Sequence, residues 1–105
     1  MEGIVVYCTV GSVEEASHIS KVLVQERLCG CVNRLPKVIS TYMYEGDFCE
    51  EEEILLIIKT LRSRFEALKN RITELHSYDV PEIIAAPIVE GNEPYMKWLE
   101  DSVKG

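Results

Sequence analysis

The feature that most constrains this chain is a pair of long strand-like segments joined by Glu45-Gly46-Asp47. From Cys31 to Tyr44 the side chains alternate, placing Val38, Ser40, Tyr42 and Tyr44 on one face and Ile39, Thr41 and Met43 on the other. Ile54-Leu55-Leu56-Ile57-Ile58 follows as an apolar strand that ends near Thr60, and the turn chemistry between the two segments predicts a hairpin. Arms of about 12 residues at roughly 3.3 Å per residue reach about 40 Å, against a radius of gyration near 13 Å for a domain of about 100 residues. The ribbon must overhang its own body. With 105 residues, 47% of them apolar, the chain fits one domain, residues 1–105, since a second core would be marginal. The apolar side chains of the overhang form too large a patch to leave in water. Identical chains are therefore expected to cover it in a closed ring, which also removes free sheet edges.

The remaining segments build around this hairpin. Ile4 to Val10 is β-branched and aromatic almost throughout, as in a strand buried on both faces. Ser12 and Glu15 form a capping box for a helix that carries Ala16, Ile19 and Leu23 and runs to about Leu28. Phe65, Leu68, Ile72 and Leu75 mark a second amphipathic helix, which stops before Pro81. Ile83 to Val89 is a fourth strand in which Pro87 demands a bulge or a free edge, and Pro36 confines the early half of the second strand to an edge. Gly91-Asn92 then caps a short helix bearing Tyr95, Trp98, Leu99 and Val103. The order β-α-β-β-α-β plus a terminal helix defines an α+β, ferredoxin-like sandwich with both main helices on one face of an antiparallel sheet. Right-handed crossovers give the strand order 4-1-3-2. Cys8 and His76 then fall at the same edge, and Cys29 and Cys31 lie away from them.

Charge and composition exclude several functions. Eleven Lys and Arg stand against 18 Asp and Glu, and a net charge of -7 repels the phosphate backbones whose neutralisation drives nucleic-acid affinity. No apolar run approaches the roughly 18 residues that would cross a bilayer, so no membrane association is expected. The amino terminus has neither a basic start nor a cleavage-like pattern, which predicts a cytoplasmic protein with its four cysteines reduced. No Ser-His-Asp order, glycine-rich phosphate loop or paired-acid motif is present, and only His18 and His76 are available for histidine chemistry, so no enzymatic reaction is expected. An acylphosphatase on this fold needs an arginine after the first strand, where Gly11, Ser12 and Val13 stand.

Four spaced motifs are more specific than any of these features alone. They are Ser40-Thr41-Tyr42-Met43-Tyr44-Glu45-Gly46, Glu53 ahead of an apolar strand closing in Lys59-Thr60, His76-Ser77-Tyr78-Asp79-Val80-Pro81-Glu82, and Tyr95-Met96-Lys97-Trp98-Leu99. Together they resemble the CutA, or divalent-cation tolerance, family over nearly the whole chain. The resemblance implies a cytoplasmic homotrimer linked to tolerance of copper and other divalent metals, with no established reaction. It also carries the copper ligands of some members onto Cys8 and His76. The family's tryptophan before Glu45-Gly46 is Tyr44 here, and a second histidine found in some relatives is Leu75. The PII nitrogen regulators share this fold, so the alternative is a trimeric signalling module that binds a small ligand between subunits.

A thiolate and an imidazole suit copper or zinc, but a tight site takes three or four donors. Glu82 supplies an oxygen at the same edge, so the candidate metal set is Cys8, His76 and Glu82. Each protein donor also has a structural reading: Cys8 as a small core residue, His76 as a partner for the last carbonyls of its helix. Cys29, Cys31 and Cys49 are read as packing residues, and His18 as solvent-facing. Glu53 is expected either to pair with Lys59 or an arginine across an interface, or to remain solvated.

Overall fold

A computed structural model describes residues 2–104. Its elements are β1 (Gly3–Val10), α1 (Val13–Gln25), β2 (Cys31–Tyr44), β3 (Asp47–Leu61), a 3₁₀ turn (Arg62–Arg64), α2 (Phe65–Leu75), β4 (Ile84–Pro87) and α3 (Glu93–Ser102). The four strands form one antiparallel sheet in the order β2-β3-β1-β4, as the crossover rule requires. Val6, Cys8 and Val10 of β1 meet Leu56 and Ile58 of β3 in a core closed by Ile19 and Leu23 of α1 and Leu68 and Ile72 of α2. A smaller cluster of Leu61, Leu99 and Val103 docks α3. Among the described residues no helix is long and apolar enough to cross a membrane.

Local chemistry explains each boundary. Ser12 Oγ accepts the Glu15 N–H at 3.1 Å, but the Glu15 carboxylate does not turn back to complete the capping box. Helix α1 stops short of Leu28 because Arg27 takes φ +59, and the Leu28 N–H returns to the Leu23 carbonyl at 3.0 Å. That is the wrap-around closure of a helix end in the left-handed region. Strand β4 is shorter than the expected Ile83 to Val89. It lies at the sheet edge with all four residues exposed, Pro87 is tolerated on that edge strand, and one further backbone bond to β1, from the Ile88 N–H to the Gly3 carbonyl at 2.9 Å, follows it.

The hairpin turns on Glu45 (φ 50) and Gly46 (φ 86), two left-handed residues whose twist matches the flanking strands. Strand β3 starts at Asp47, so the acidic run Glu50 to Glu53 lies inside the ribbon. A register shift between Leu35 and Val38 brackets Pro36 on edge strand β2. Beyond it Ser40 faces Glu51 and Val38 faces Glu53, while Ile39 faces Glu52 and Thr41 faces Glu50. Successive glutamates thus alternate between the two faces. The ribbon gives the molecule dimensions of 45 × 25 × 23 Å, and its distal half leaves Met43 64% and Phe48 68% exposed, directly opposite one another.

Candidate functional site

The site forms where the end of β1, the end of α2 and the loop 76–83 meet the hairpin. His76 closes α2: its N–H reaches the Ile72 carbonyl at 2.8 Å and its backbone then becomes extended. This turns the imidazole inward, where its side chain has no exposed surface. Nε2 lies 2.8 Å from the Thr9 carbonyl, and the Tyr78 N–H points at Nδ1 from 3.0 Å. An amide N–H only donates, and a carbonyl only accepts. The ring is therefore assigned as the Nε2–H tautomer, with the Nδ1 lone pair occupied.

The loop is tied down on both sides of this ring. Glu15, released from the capping box, accepts the Ser77 N–H at 2.7 Å and the Ser77 O–H at 2.9 Å, and it sits 3.5 Å from Nδ1 of His76. The Tyr78 ring lies 4.7 Å from that of His76, and its O–H donates to Oε2 of Glu53 at 2.7 Å. Glu53 is buried against this phenol, and within the chain it does not reach Lys59, whose ammonium bonds to the Asn33 side chain. Burial, and then the Glu53 carboxylate, push the Tyr78 phenol well above its ordinary pKa.

Cys8 is fully buried, and its Sγ lies 3.8 Å from the same Thr9 carbonyl that His76 engages. Burial, followed by the charges of Glu82, Glu15 and Glu53, raises its pKa to about 12, so the thiol is neutral. The fold therefore brings Cys8, His76 and Glu82 to one end of the sheet, as the topology required. Glu82 is exposed, however, and the other two are sealed beneath it. Ligation needs a thiolate and a free imidazole lone pair, and the folded arrangement presents neither. Among the described residues no group of three or more His, Cys, Asp and Glu side chains is placed to hold an ion. In this conformation the donor set does not fit a bound metal.

What the region does present is a cleft of about 610 Å³ between the loop and the hairpin, with Tyr42, Glu51, Glu53, Tyr78 and Glu82 in its walls. The Tyr78–Glu53 and Glu15–Ser77 links that shape it escaped the sequence reading. Each joins residues at least 25 positions apart, and only the position of Tyr78 two residues after His76 hinted at a role.

Replacing His76 with alanine would take the ring acceptor from the half-buried Tyr78 N–H and leave the Thr9 carbonyl with only the weak Cys8 thiol contact. At about 1–3 kcal/mol for an unsatisfied group, the variant is expected to lose at least about 1–3 kcal/mol, read as a lower urea midpoint.

Fold and site together define a ferredoxin-like α+β protein with a projecting hairpin and an acidic, tyrosine-walled cleft against its base. The CutA1 divalent ion tolerance family matches residues 4–102, and the chain belongs to that family. It is 48% identical over 98 residues to the divalent-cation tolerance protein CutA of Thermus thermophilus, covering 93% of this chain and 95% of that one. A solved structure of the Thermus thermophilus divalent cation tolerance protein superposes with a TM-score of 0.95 at 46% identity, covering 97% of this chain and 99% of that one. The chloroplastic CutA of Arabidopsis thaliana is 44% identical over 96% of this chain, which spans 56% of the plant protein.

Proposed function

We propose that this chain works as a cytoplasmic homotrimer that takes up divalent cations, copper among them, in metal tolerance, and that it catalyses no reaction. Membership of the CutA1 family is the observation that carries this reading. The projecting apolar ribbon supports the trimer, and the four free cysteines suit a reducing compartment. For uptake, the carboxylates of Glu15, Glu53 and Glu82 around Cys8 attract cations to this end of the sheet, and a net charge of -7 per chain reinforces them. Glu82 is the first donor a cation meets. Cys8 and His76 could join it as donors only where the thiol gives up its proton and the Tyr78 N–H releases Nδ1.

A copper titration of the apo protein at about 0.15 M salt, where diffuse attraction is screened beyond about 8 Å, tests this. Saturable binding is expected, weakened at least about tenfold, or about 1.4 kcal/mol, by Cys8→Ser, His76→Ala and Glu82→Gln. Isotherms unchanged in all three variants would remove these residues from the site.

A further inference from the structure

We infer that residues 77–82 form a lid, latched to the body by side chains alone, which swings away from the folded sheet and admits small reagents to Cys8 and to Nδ1 of His76. Such a lid operates whether or not the reagent is a metal.

The bonding of the segment points to this device. Helix α2 ends where the His76 N–H meets the Ile72 carbonyl, and β4 begins where Ile84 pairs with Tyr7. Between these anchors, residues 77–82 neither give nor receive a main-chain to main-chain hydrogen bond among the described residues. Four links hold them instead: the N–H and O–H of Ser77 to Glu15, the Tyr78 N–H to Nδ1 of His76, and the Tyr78 O–H to Glu53. Asp79, Val80 and Glu82 are exposed. Opening therefore breaks these links and uncovers little apolar surface, while unfolding the body breaks a four-stranded sheet and its core. Segments bonded so sparsely open locally at free energies far below that of global unfolding.

The latching carboxylate also has a second partner within reach. Glu15 stands three residues after the helix cap Ser12, where a glutamate ordinarily accepts the N–H of the cap residue. Among the described residues the Ser12 N–H finds no acceptor, because that carboxylate lies on Ser77. Release of the lid lets Glu15 turn back and complete the capping box, which offsets part of the loss of Ser77. One carboxylate thus serves two arrangements, with the lid closed or with α1 fully capped.

Cys8 and Cys29 provide a matched comparison. Both are fully buried thiols of the main core, and burial raises the pKa of each to about 12. After burial, the leading charge acting on Cys8 is that of Glu82, a lid residue. Cys29 lies instead in a connection fixed through its main chain. The Leu28 N–H bonds to the Leu23 carbonyl at 3.0 Å, the Gly30 N–H to the Lys59 carbonyl at 2.9 Å, and the Thr60 O–H to the Leu28 carbonyl at 2.8 Å. Reaching Cys29 requires the body to open.

The test is alkylation of the native protein by iodoacetamide in chelator, with each thiol followed separately by peptide mass. When opening and closing are fast, the rate at a buried thiol tracks the population of its open form, so Cys8 is expected to react about tenfold or more faster than Cys29. Ser77→Ala removes one latch bond and leaves every charge in place. It should accelerate Cys8 at least about fivefold, and Glu15→Ala, which removes two, at least about tenfold, with Cys29 held at its original rate. Both thiols are read in one sample, so a general loss of stability would raise the two rates together. Equal rates at Cys8 and Cys29 in the unaltered chain, or parallel acceleration of both in the variants, would overturn the proposal. So would a Cys8 rate indifferent to both substitutions. Chelator keeps metal out of the readout, so this result and that of the copper titration stand or fall separately.

Discussion

Replacing residues 39–52 with Asn-Gly is expected to leave a folded monomer in place of the proposed trimer of 12.0 kDa chains. Val38 and Glu53 face each other across the hairpin, so a two-residue loop of the type that suits tight hairpins closes the shortened ribbon at an existing pair. The deleted segment contributes no residue to the main core, which is built from β1, β3, the helices and the Leu28-Cys29 connection. The fold survives while Ile39, Tyr42, Met43, Tyr44 and Phe48, all exposed in a single chain, are lost together. A stable assembly needs more than about 1,000 Å² of buried surface, and the exposed apolar ribbon is the surface proposed to supply it. Sedimentation equilibrium checks the mass and amide circular dichroism checks the fold. A truncated chain that still sediments as a trimer would move the interface off the ribbon.

Alkaline pH is expected to weaken the fold steeply, by about 4 kcal/mol between pH 9 and pH 11. Two buried thiols set this slope. The pKa of Cys8 is raised from 9.0 to about 12 by burial, and then by Glu82, Glu15 and Glu53. The pKa of Cys29 is raised from 9.0 to about 12 by burial and then by Cys31, with a backbone hydrogen bond from Cys31 acting in the opposite sense. Both native values lie above the unfolded ones. Below pH 9 both states keep their protons and the stability is fully present. Above it the unfolded chain releases protons that the folded chain retains, so stability is lost up to about pH 12. Tyr78, shifted in the same direction, adds to the fall. Urea midpoints across this range, measured with chelator, give the slope, and Cys8→Ala should remove about half of the thiol contribution. A midpoint that does not move from pH 8 to pH 11 would mean that neither thiol is protonated by the fold.

The same residues show where reading the chain succeeded and where it did not. Phe65, Leu68, Ile72 and Leu75 predicted α2 because a helix displays its own periodicity, and the alternation on each side of Gly46 predicted β2 because a strand does too. The boundary of α1 was misjudged: Arg27 adopts a left-handed conformation more often taken by glycine, and nothing in its identity announces this. Glu15 looked like half of a capping box. Its carboxylate was instead captured by Ser77, a competition that local spacing cannot foresee. At the site, Cys8, His76 and Glu82 were correctly placed at one end of the sheet. The occupancy of both imidazole nitrogens was invisible, since it depends on the Thr9 carbonyl and Tyr78 N–H arriving together.

Sequence alone determined the elements, their order, the crossover hand and the overhanging ribbon, because these follow from periodicities and steric rules that act over a few neighbouring residues. The tertiary structure alone decided which groups are sealed and which face the cleft. Cys8 and His76 disappear beneath the loop 76–83, while Tyr42, Glu53 and Tyr78 converge from distant segments on its walls. Burial and hydrogen-bond partnership are properties of packed surfaces, so these residues acquire their chemistry only when the strands and the loop close together.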